Sequence, residues 1–145
     1  MIQRIKSREG VKKIFSLAEQ FTTASESALY DPETMLTTWD YLLKNKLGVL
    51  ITYTKKGKAV GVIGGIKHPD MTSGIMTATE SFWFVDPEHR GIGLFLLKAF
   101  EDWAKEEGCK RILMMALLDS LPEKAIRIYQ QAGYKPLEVT YIKEV

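Results

Sequence analysis

Apolar residues recur at helical spacing in two stretches near the start of the chain. In the stretch that begins at Glu9 they fall every three or four positions, at Val11, Ile14, Phe15, Ala18 and Phe21. Ser7 lies where a helix N-cap is expected. The second stretch begins with Asp31 as a cap and Pro32 at the first helical position, a combination typical of helix starts. The pattern therefore predicts two helices joined by a polar loop, after a short strand at residues 2–5.

The middle of the chain follows the two-residue period of β-strands. Residues 48–54 and 59–66 are rich in β-branched side chains, and the turn between them, residues 55–58, contains a glycine. This arrangement predicts a β-hairpin. Residues 68–70 are expected to begin a loop, after which residues 76–85 add a third strand. These three strands are predicted to form an antiparallel meander.

Helix and strand patterns alternate over the rest of the chain. A helix that ends at Gly108 has an apolar stripe formed by Leu96, Leu97, Phe100, Trp103 and Ala104. The apolar run 111–118 is typical of a strand buried on both faces. A helix at residues 122–132 and a last strand at 134–141 complete the chain. The order predicts one domain, residues 1–145, of the α/β class, with three layers: a mixed, mostly antiparallel sheet with helices on both faces.

Composition and charge exclude several functional classes. The 145 residues carry 20 basic and 18 acidic side chains, a formal net charge of +2, and no basic run long enough to follow a nucleic-acid backbone. No apolar run reaches about 18–20 residues, the length of a membrane span. Cys109 is the single cysteine, so neither an internal disulfide nor a cysteine-based metal site is expected. The sequence thus indicates a cytoplasmic protein with no metal and no nucleic-acid or membrane partner.

The turn Arg90–Gly93 lies between a predicted strand and a predicted helix. Such a turn leaves backbone N–H groups free where the helix dipole favours an anion, and Arg90 adds a charge suited to phosphate. The alternative is an ordinary tight turn that needs glycine for its backbone angles. A P-loop is excluded because Leu94 and Phe95 replace its Lys-Ser/Thr pair. A dinucleotide fingerprint is excluded because Leu96 replaces its third small residue.

Two motifs resemble those of the GCN5-related N-acetyltransferase (GNAT) family. Residues 85–93 and the following Leu96-Leu97 pair are similar to the family's acetyl-CoA motif, Arg/Gln-x-x-Gly-x-Gly/Ala, which follows a strand. Residues 106–112 resemble the family's helix-to-strand join. Residues 125–134 are similar to a second motif, Ala-x-x-Leu/Phe-Tyr-x-x-x-Gly-Phe/Tyr. The resemblance covers the chain from Glu80 to its C-terminus.

The resemblance implies a GNAT-like fold that transfers an acetyl group from acetyl-CoA (coenzyme A) to a primary amine by direct attack of the amine. The acceptor, a small molecule or a peptide, is not identified. Tyr129 occupies the position of the family's proton donor. The N-terminal helices and the loop 22–30 are expected to form the acceptor wall. The residues that the resemblance assigns to the cofactor are Phe84, Val85, Arg90, Gly91, Ile92, Gly93 and Leu94.

The cofactor turn departs from the family motif in its length. Counted from Arg90, the motif places Phe95 where Gly or Ala belongs. When the motif is aligned on Gly91 and Gly93, the distance to Leu96-Leu97 is that of the family, but Glu88 falls at the position of the basic residue. A turn shorter than the family's common form explains both mismatches. It leaves open whether Arg90 or His89 carries the charge and whether Phe95 contacts the cofactor.

For the general base, Glu80 on the strand before the turn is the first candidate. The two-residue period puts Glu80, Phe82 and Phe84 on one face, where apolar surroundings would raise the pKa of the carboxyl towards neutrality. The alternative is a solvent-exposed glutamate at a strand end. His68 and His89 have suitable chemistry, but one is expected in a loop and the other in the turn.

The remaining reactive side chains have structural interpretations. Cys109 has no histidine near it in the sequence and is expected in the core. Asp119-Ser120 is expected to cap the helix that follows, and Tyr129 could also be a packing residue. A non-catalytic module on the same fold, which binds coenzyme A or a protein partner, is the alternative function. The oligomeric state, a homodimer included, stays open.

Overall fold

The computed structural model describes residues 1–26, 28–119 and 122–145. The elements in chain order are β1 (Ile2–Arg4), α1 (Arg8–Lys12), α2 (Phe15–Ala24), α3 (Pro32–Lys44), β2 (Gly48–Lys55), β3 (Lys58–Pro69), β4 (Met76–Val85), α4 (Gly93–Glu106), β5 (Arg111–Leu113) and α5 (Pro122–Gln131). A short 3₁₀ turn, Pro87–His89, precedes α4. Among the described residues, no helix combines the length and the apolar character needed to cross a membrane.

The strands of the described residues form a five-stranded sheet in the order β1-β2-β3-β4-β5. Neighbours from β1 to β4 are antiparallel, whereas β4 and β5 are parallel, so the sheet is mixed and mostly antiparallel as predicted. The hairpin between β2 and β3 is also confirmed. Lys56 and Gly57 in its turn adopt positive φ angles of 50° and 76°, as two-residue hairpin turns require.

Helices cover both faces of the sheet, which confirms the three-layer α/β fold. On one face, Leu96 and Phe100 of α4 pack against Ile63 and its neighbours in the sheet. On the other face, α1, α2 and α3 pack against the sheet, with Trp39 of α3 close to Val62. The predicted apolar stripe of α4 is buried throughout, and burial of such stripes on both sides of a sheet supplies most of the driving force for this fold.

Both predicted helix starts are present. The N–H of Gly10 donates to Ser7 Oγ at 3.2 Å, and the N–H of Thr34 donates to Asp31 Oδ2 at 2.9 Å. The first predicted helix is not continuous, because it is divided into α1 and α2. The division places the fully buried Ile14 at the start of α2, without a side-chain cap. Packing against the sheet, rather than helical spacing alone, sets the boundary.

Two strand boundaries were predicted wrongly. β3 continues through His68 and Pro69, because these residues pair with the start of β4, so the loop begins only at Asp70. The apolar run 111–118 is a strand only over Arg111–Leu113, at the edge of the sheet and partly exposed. Its pairing with β4 ends there, so the residues that follow do not extend it into a strand buried on both faces, although Met114 still packs against the core.

The predicted last strand is absent from the C-terminal segment. Residues 134–145 carry the apolar alternation of a strand, but no strand forms there. Leu137, Val139 and Tyr141 are 61%, 64% and 90% exposed. A segment with alternating apolar residues forms a strand only when another strand pairs with it, and the described residues provide no such partner for this segment.

Candidate active site

β4 and β5 separate at the point where the candidate site lies. Their last paired residues are Thr79 and Leu113, and beyond them β4 continues along β3 to Val85 whereas β5 ends. A cavity of about 220 Å³, the splay cavity, lies at this separation. Its lining comes from α2, β4, α5 and the segments before α3 and α5: Phe21, Ala28, Glu80, Ser81, Trp83, Met115, Ala116, Leu117, Ala125 and Tyr129.

A β-bulge at Ser81 determines which side chains of β4 lie on each face. Glu80 pairs with Gly65 and Phe82 pairs with Gly64, so Ser81 is an additional residue in β4. An additional residue shifts every later side chain of the strand to the opposite face. Because of the bulge, the two-residue period does not continue from Glu80 to the aromatic residues that follow it.

The prediction that Glu80 shares a face with Phe82 and Phe84 is wrong for this reason. The two phenylalanines pack against the core formed by α1, α2 and α3. Glu80 lies on the opposite face, since its partner Gly65 lies beneath Phe100 of α4, where an added Cβ would be 2.5 Å from the ring. Glu80 thus owes its apolar surroundings to the splay cavity and not to the two phenylalanines.

Glu80 is buried, with 6% of its surface exposed. Its Oε2 accepts a hydrogen bond of 2.9 Å from the N–H of Met115. Burial raises the pKa of Glu80 to about 7, because the charged form loses hydration, and the bond from Met115 opposes the rise. The carboxyl is therefore able to gain and lose a proton near neutral pH.

Tyr129 reaches the backbone of the same residue from α5. Its hydroxyl donates to the carbonyl oxygen of Met115 at 2.6 Å, so the backbone of Met115 bonds to both candidate catalytic side chains. Its ring lies 5.9 Å from that of Trp83. Burial, followed by the charge of Glu80 and the nearby Tyr134, raises the pKa of Tyr129 well above its ordinary value of 10. The phenol is therefore protonated, and a hydrogen-bond donor, at neutral pH.

The predicted cofactor turn presents backbone groups at the start of α4. Gly91 adopts a φ angle of 105°, which favours glycine, and Ile92 is buried with 6% exposed, so it anchors the turn to the core. α4 then begins at Gly93 with no side-chain N-cap. The N–H of Phe95 donates to the carbonyl oxygen of Ile92, so the amide groups of Gly93 and Leu94 are left for another acceptor, at the positive end of the helix dipole.

Trp83 connects this turn to the splay cavity. A Cβ placed on Gly93 would lie 3.1 Å from Trp83 Cζ2, so the glycine allows the indole and the helix start to approach closely. Trp83 lines the cavity, and its Nε1 is buried without a hydrogen-bond partner among the described residues. A buried donor without an acceptor is costly, which makes this atom a candidate contact for a bound molecule.

Arg90 and His89 differ in their surroundings. His89 Nδ1 lies 3.8 Å from Asp86 Oδ2, within its own turn. Arg90 is exposed and forms no ion pair within the described parts of the chain. Phe95 is 59% exposed, with its ring 6.1 Å from that of Tyr53. The geometry thus favours Arg90 over His89 for contact with an anion at the start of α4.

The other predicted cofactor residues lie on both sides of this turn. Phe84 and Val85 end β4, where the edge away from β3 has no strand partner among the residues that the structure describes. Leu94 is 55% exposed in the first turn of α4. A free strand edge, a glycine turn and an uncapped helix start are therefore consecutive along the chain.

The rival candidates do not line the splay cavity. His68 Nε2 lies 2.7 Å from Thr79 Oγ1, on the part of β3 that pairs with the start of β4. Cys109 packs against the core beneath α4, as expected, and burial raises the pKa of its thiol. Within the described residues, no group of three His, Cys, Asp or Glu side chains is placed to hold a metal ion.

Asp119 joins the two sides of the site. Both of its carboxylate oxygens accept from Ser25 Oγ, at 3.0 and 3.1 Å, which links the end of α2 to the segment before α5. Ser25 is buried. The predicted helix cap at Asp119-Ser120 lies partly outside the described residues, since Ser120 is not among them.

A second cavity, the groove, has a volume of about 500 Å³ and adjoins the splay cavity. The two share Phe21, Ala28 and Ser81. The groove is lined by residues of α2, α3, β4 and the loop before α3: Ala18, Phe21, Thr22, Ala28, Leu29, Tyr30, Asp31, Thr34, Met35, Thr38, Trp39, Ser81 and Phe82. Helical spacing predicted several of these as core residues, and nothing in that spacing distinguishes a core face from a groove wall.

Comparison with known proteins identifies the family. The model of the acetyltransferase (GNAT) family matches residues 11–134, which include every residue that lines the splay cavity. The chain belongs to the GNAT family. No curated protein matches this GNAT chain by sequence.

Solved structures share the GNAT fold of the chain at low sequence identity. AAC(6')-Iy bound to a bisubstrate analogue, CoA-S-monomethyl-acetylneamine, matches with a TM-score of 0.79 and 16% identity over 100% of this chain and 98% of that one. Ribosomal-protein-alanine N-acetyltransferase from Brucella melitensis biovar Abortus 2308 matches with 0.76 and 17%, over 100% and 99%. An aminoglycoside acetyltransferase from an uncultured soil metagenomic sample, in complex with sisomicin, matches with 0.76 and 18%, over 100% and 95%.

Proposed function

We propose that this GNAT protein is an N-acetyltransferase in which a primary amine directly attacks the acetyl group of acetyl-CoA. One observation carries the proposal: Glu80 and Tyr129 both bond to the backbone of Met115, inside a cavity that reaches the uncapped start of α4 through Trp83. Acetylation of an amine needs a proton acceptor and a proton donor at one site. Both are supplied here by side chains that the GNAT motif and the strand pattern had singled out.

The start of α4 suits the pyrophosphate of coenzyme A. Its start lacks a side-chain cap, Gly91 has open space beside its Cα where an anion can approach the backbone, and Arg90 supplies a positive charge. The free edge of β4 at Phe84–Val85 suits an extended arm, and the Trp83 indole N–H offers a further donor. The similar structure of AAC(6')-Iy carries an analogue that contains CoA, which supports this assignment. Bound there, acetyl-CoA supplies the acetyl group as a thioester.

Glu80 is assigned the role of general base. An alkylamine is protonated at neutral pH, and its nitrogen must lose a proton before it forms an amide bond. A carboxyl with a pKa of about 7 accepts that proton more readily than an ordinary carboxylate. In the balanced reaction the C–N bond forms and the thioester C–S bond breaks. The ammonium loses two protons, of which one reaches the sulfur and the other is released to water.

Tyr129 is assigned the role of proton donor to the sulfur. The charge of Glu80 is one of the causes that raise the pKa of Tyr129, so proton uptake by Glu80 makes the phenol more acidic. The hydroxyl must turn away from the Met115 carbonyl to reach the sulfur. The two groups thus act in sequence. Glu80 first accepts a proton from the amine, and Tyr129 then releases its proton more readily.

Amine-dependent release of free thiol from acetyl-CoA tests the proposal. Wild-type kcat/KM is expected to rise with pH through about 7, as Glu80 loses its proton. Glu80→Gln should lower kcat by about a hundredfold and abolish that rise, because a general base contributes 10²–10⁴ in typical enzymes. The shift in melting temperature caused by acetyl-CoA should persist in this variant. Glu123→Gln, at an exposed glutamate of α5, is the matched control.

Two other results would contradict the proposed N-acetyltransferase. Stabilisation by acetyl-CoA without amine-dependent thiol release would indicate a non-catalytic module that binds coenzyme A. Absence of stabilisation by both acetyl-CoA and CoA would contradict the enzyme and the module alike.

A further inference from the structure

The groove adjoins the splay cavity, so its lining bears on the acceptor. Phe21, Ala28 and Ser81 belong to both, and they separate the larger volume from Glu80. A molecule that extends past these three residues to place its nitrogen beside Glu80 would have the rest of its body in the groove. The volume of about 500 Å³ is within the range of roughly 300–1,000 Å³ typical of small-molecule sites.

Aromatic rings form the walls of the groove. Phe82 lies between two of them, with its ring 6.3 Å from that of Phe21 and 5.9 Å from that of Trp39. Tyr30 and Met35 extend this apolar wall towards the loop and α3. Rings and thioether side chains of this kind favour flat or branched apolar groups, through burial of apolar surface and edge-to-face contacts.

The groove has little to offer a molecule with several positive charges. In the described lining, Asp31 is the one carboxylate. It already accepts from the N–H and the hydroxyl of Thr34, and these hydrogen bonds lower its pKa. Glu19 lies near the same rim, since it and Asp31 raise the pKa of Tyr30 after burial does. The two carboxylates lie near one rim and leave the rest of the groove apolar, so a polycation would lose hydration along the walls without compensation.

We propose that the acceptor is a primary monoamine with an aromatic or branched apolar body, which lies in the groove while its nitrogen reaches Glu80. The inference rests on the proposed function and specifies its substrate class. Sisomicin, which is bound in one similar structure, carries several amino groups, whereas the one carboxylate in the described lining of this groove is already hydrogen-bonded. Peptides and polyamines are then poor acceptors.

Thiol release with a set of amines tests this inference. The set contains 2-phenylethylamine, propylamine, spermidine, kanamycin and a tripeptide with an N-terminal alanine. We expect kcat/KM for 2-phenylethylamine to exceed that for propylamine on the order of thirtyfold, from burial of the ring at about 25 cal/mol per Å². It should exceed the values for the two polycations and the peptide as well. A higher value for any of those three, or equal values for the first two amines, would overturn the inference.

A pair of variants on α3 locates the effect in the groove. Thr38 lines the groove and Thr37 does not, although both are exposed on the same helix. Thr38→Trp fills part of the groove, so the ratio of kcat/KM for 2-phenylethylamine to that for propylamine should fall about tenfold. Thr37→Trp should leave the ratio unchanged. An equal change in both variants, or none in Thr38→Trp, would contradict a body bound in the groove.

The failure of this inference is distinguishable from failure of the proposed function. If some amine is acetylated but the preference is absent or reversed, the substrate class is wrong and the N-acetyltransferase stands. If acetyl-CoA stabilises the protein and none of the amines releases thiol, both are wrong.

Discussion

The backbone of Met115 connects the two ionisable side chains of the candidate site. Its N–H bonds to Glu80 and its carbonyl to Tyr129, although the three residues come from different segments of the chain. Neither Met115 nor its neighbours carry a sequence signal for this role, because a backbone group has the same chemistry whatever its side chain is. Tyr129 and Glu80 could be nominated from the sequence, but the connection between them could not.

The stability of the protein should depend on pH through Glu80. Its pKa in the folded state is raised from an ordinary 4.5 to about 7, so its contribution to stability is fully present below about pH 4.5 and is lost as pH rises through about 7. The difference is equivalent to about 3 kcal/mol at most. Glu80→Gln should remove it, which would be seen as a smaller fall in unfolding free energy between about pH 5 and pH 8.

Urea unfolding of both proteins at the two pH values measures this effect. Glu123→Gln, which changes an exposed glutamate, should retain the wild-type dependence. A fall of the same size in Glu80→Gln and in the wild type would show that Glu80 is not the group responsible.

Tyr129→Phe should reduce turnover while cofactor binding is retained. Loss of the hydroxyl removes the proposed proton donor and leaves the Met115 carbonyl without that partner. We expect kcat to fall by about a hundredfold, with little change in the stabilisation by acetyl-CoA. Tyr134→Phe, at a ring 5.6 Å away that does not line the splay cavity, is the control. Unchanged kcat in Tyr129→Phe would remove the donor assignment alone.

At the scale of elements, β4 sets the position of the site. The strand was predicted with the bounds that it has, Met76–Val85, because its apolar and β-branched pattern is strong. Its bulge at Ser81 was not predicted, and the face of Glu80 was wrong as a result. A bulge depends on the register between two strands, and register is not a property of either strand alone.

Gly65 holds β3 close to α4 opposite the bulge. An added Cβ would lie 2.5 Å from Phe100 Cε2 and 2.7 Å from the carbonyl oxygen of Thr79. Gly65→Ala should therefore lower the unfolding free energy by about 1–3 kcal/mol, the usual cost of overpacking a core. Denaturant unfolding measures the change.

A second substitution separates crowding from other effects of the extra methyl. Phe100→Leu on the Gly65→Ala background should restore part of the lost stability, because it removes the ring atoms that the methyl meets. No restoration would indicate that the contact with the Thr79 carbonyl, or another cause, is responsible.

At the scale of the whole molecule, the C-terminal segment stands apart from the three layers. Every residue from Lys135 to Val145 is exposed, so removal of residues 137–145 should change the unfolding free energy by no more than about 0.5 kcal/mol. The exposed apolar side chains of this segment favour self-association. Truncation should thus also weaken any concentration-dependent association seen by sedimentation. A large loss of stability would show that the segment packs against the sheet.

The sequence by itself determined the class of the fold, the helix caps, the hairpin and the two GNAT motifs, because each depends on residues close together in the chain. Tertiary structure decided what depends on distant contacts. It ended β5 at Leu113, left the C-terminal alternation unpaired, placed Glu80 beside Tyr129, and formed the groove from α2, α3 and β4. Local patterns state which side chains are apolar, whereas only the packing of separate elements decides whether they close into a core or leave a cavity between them.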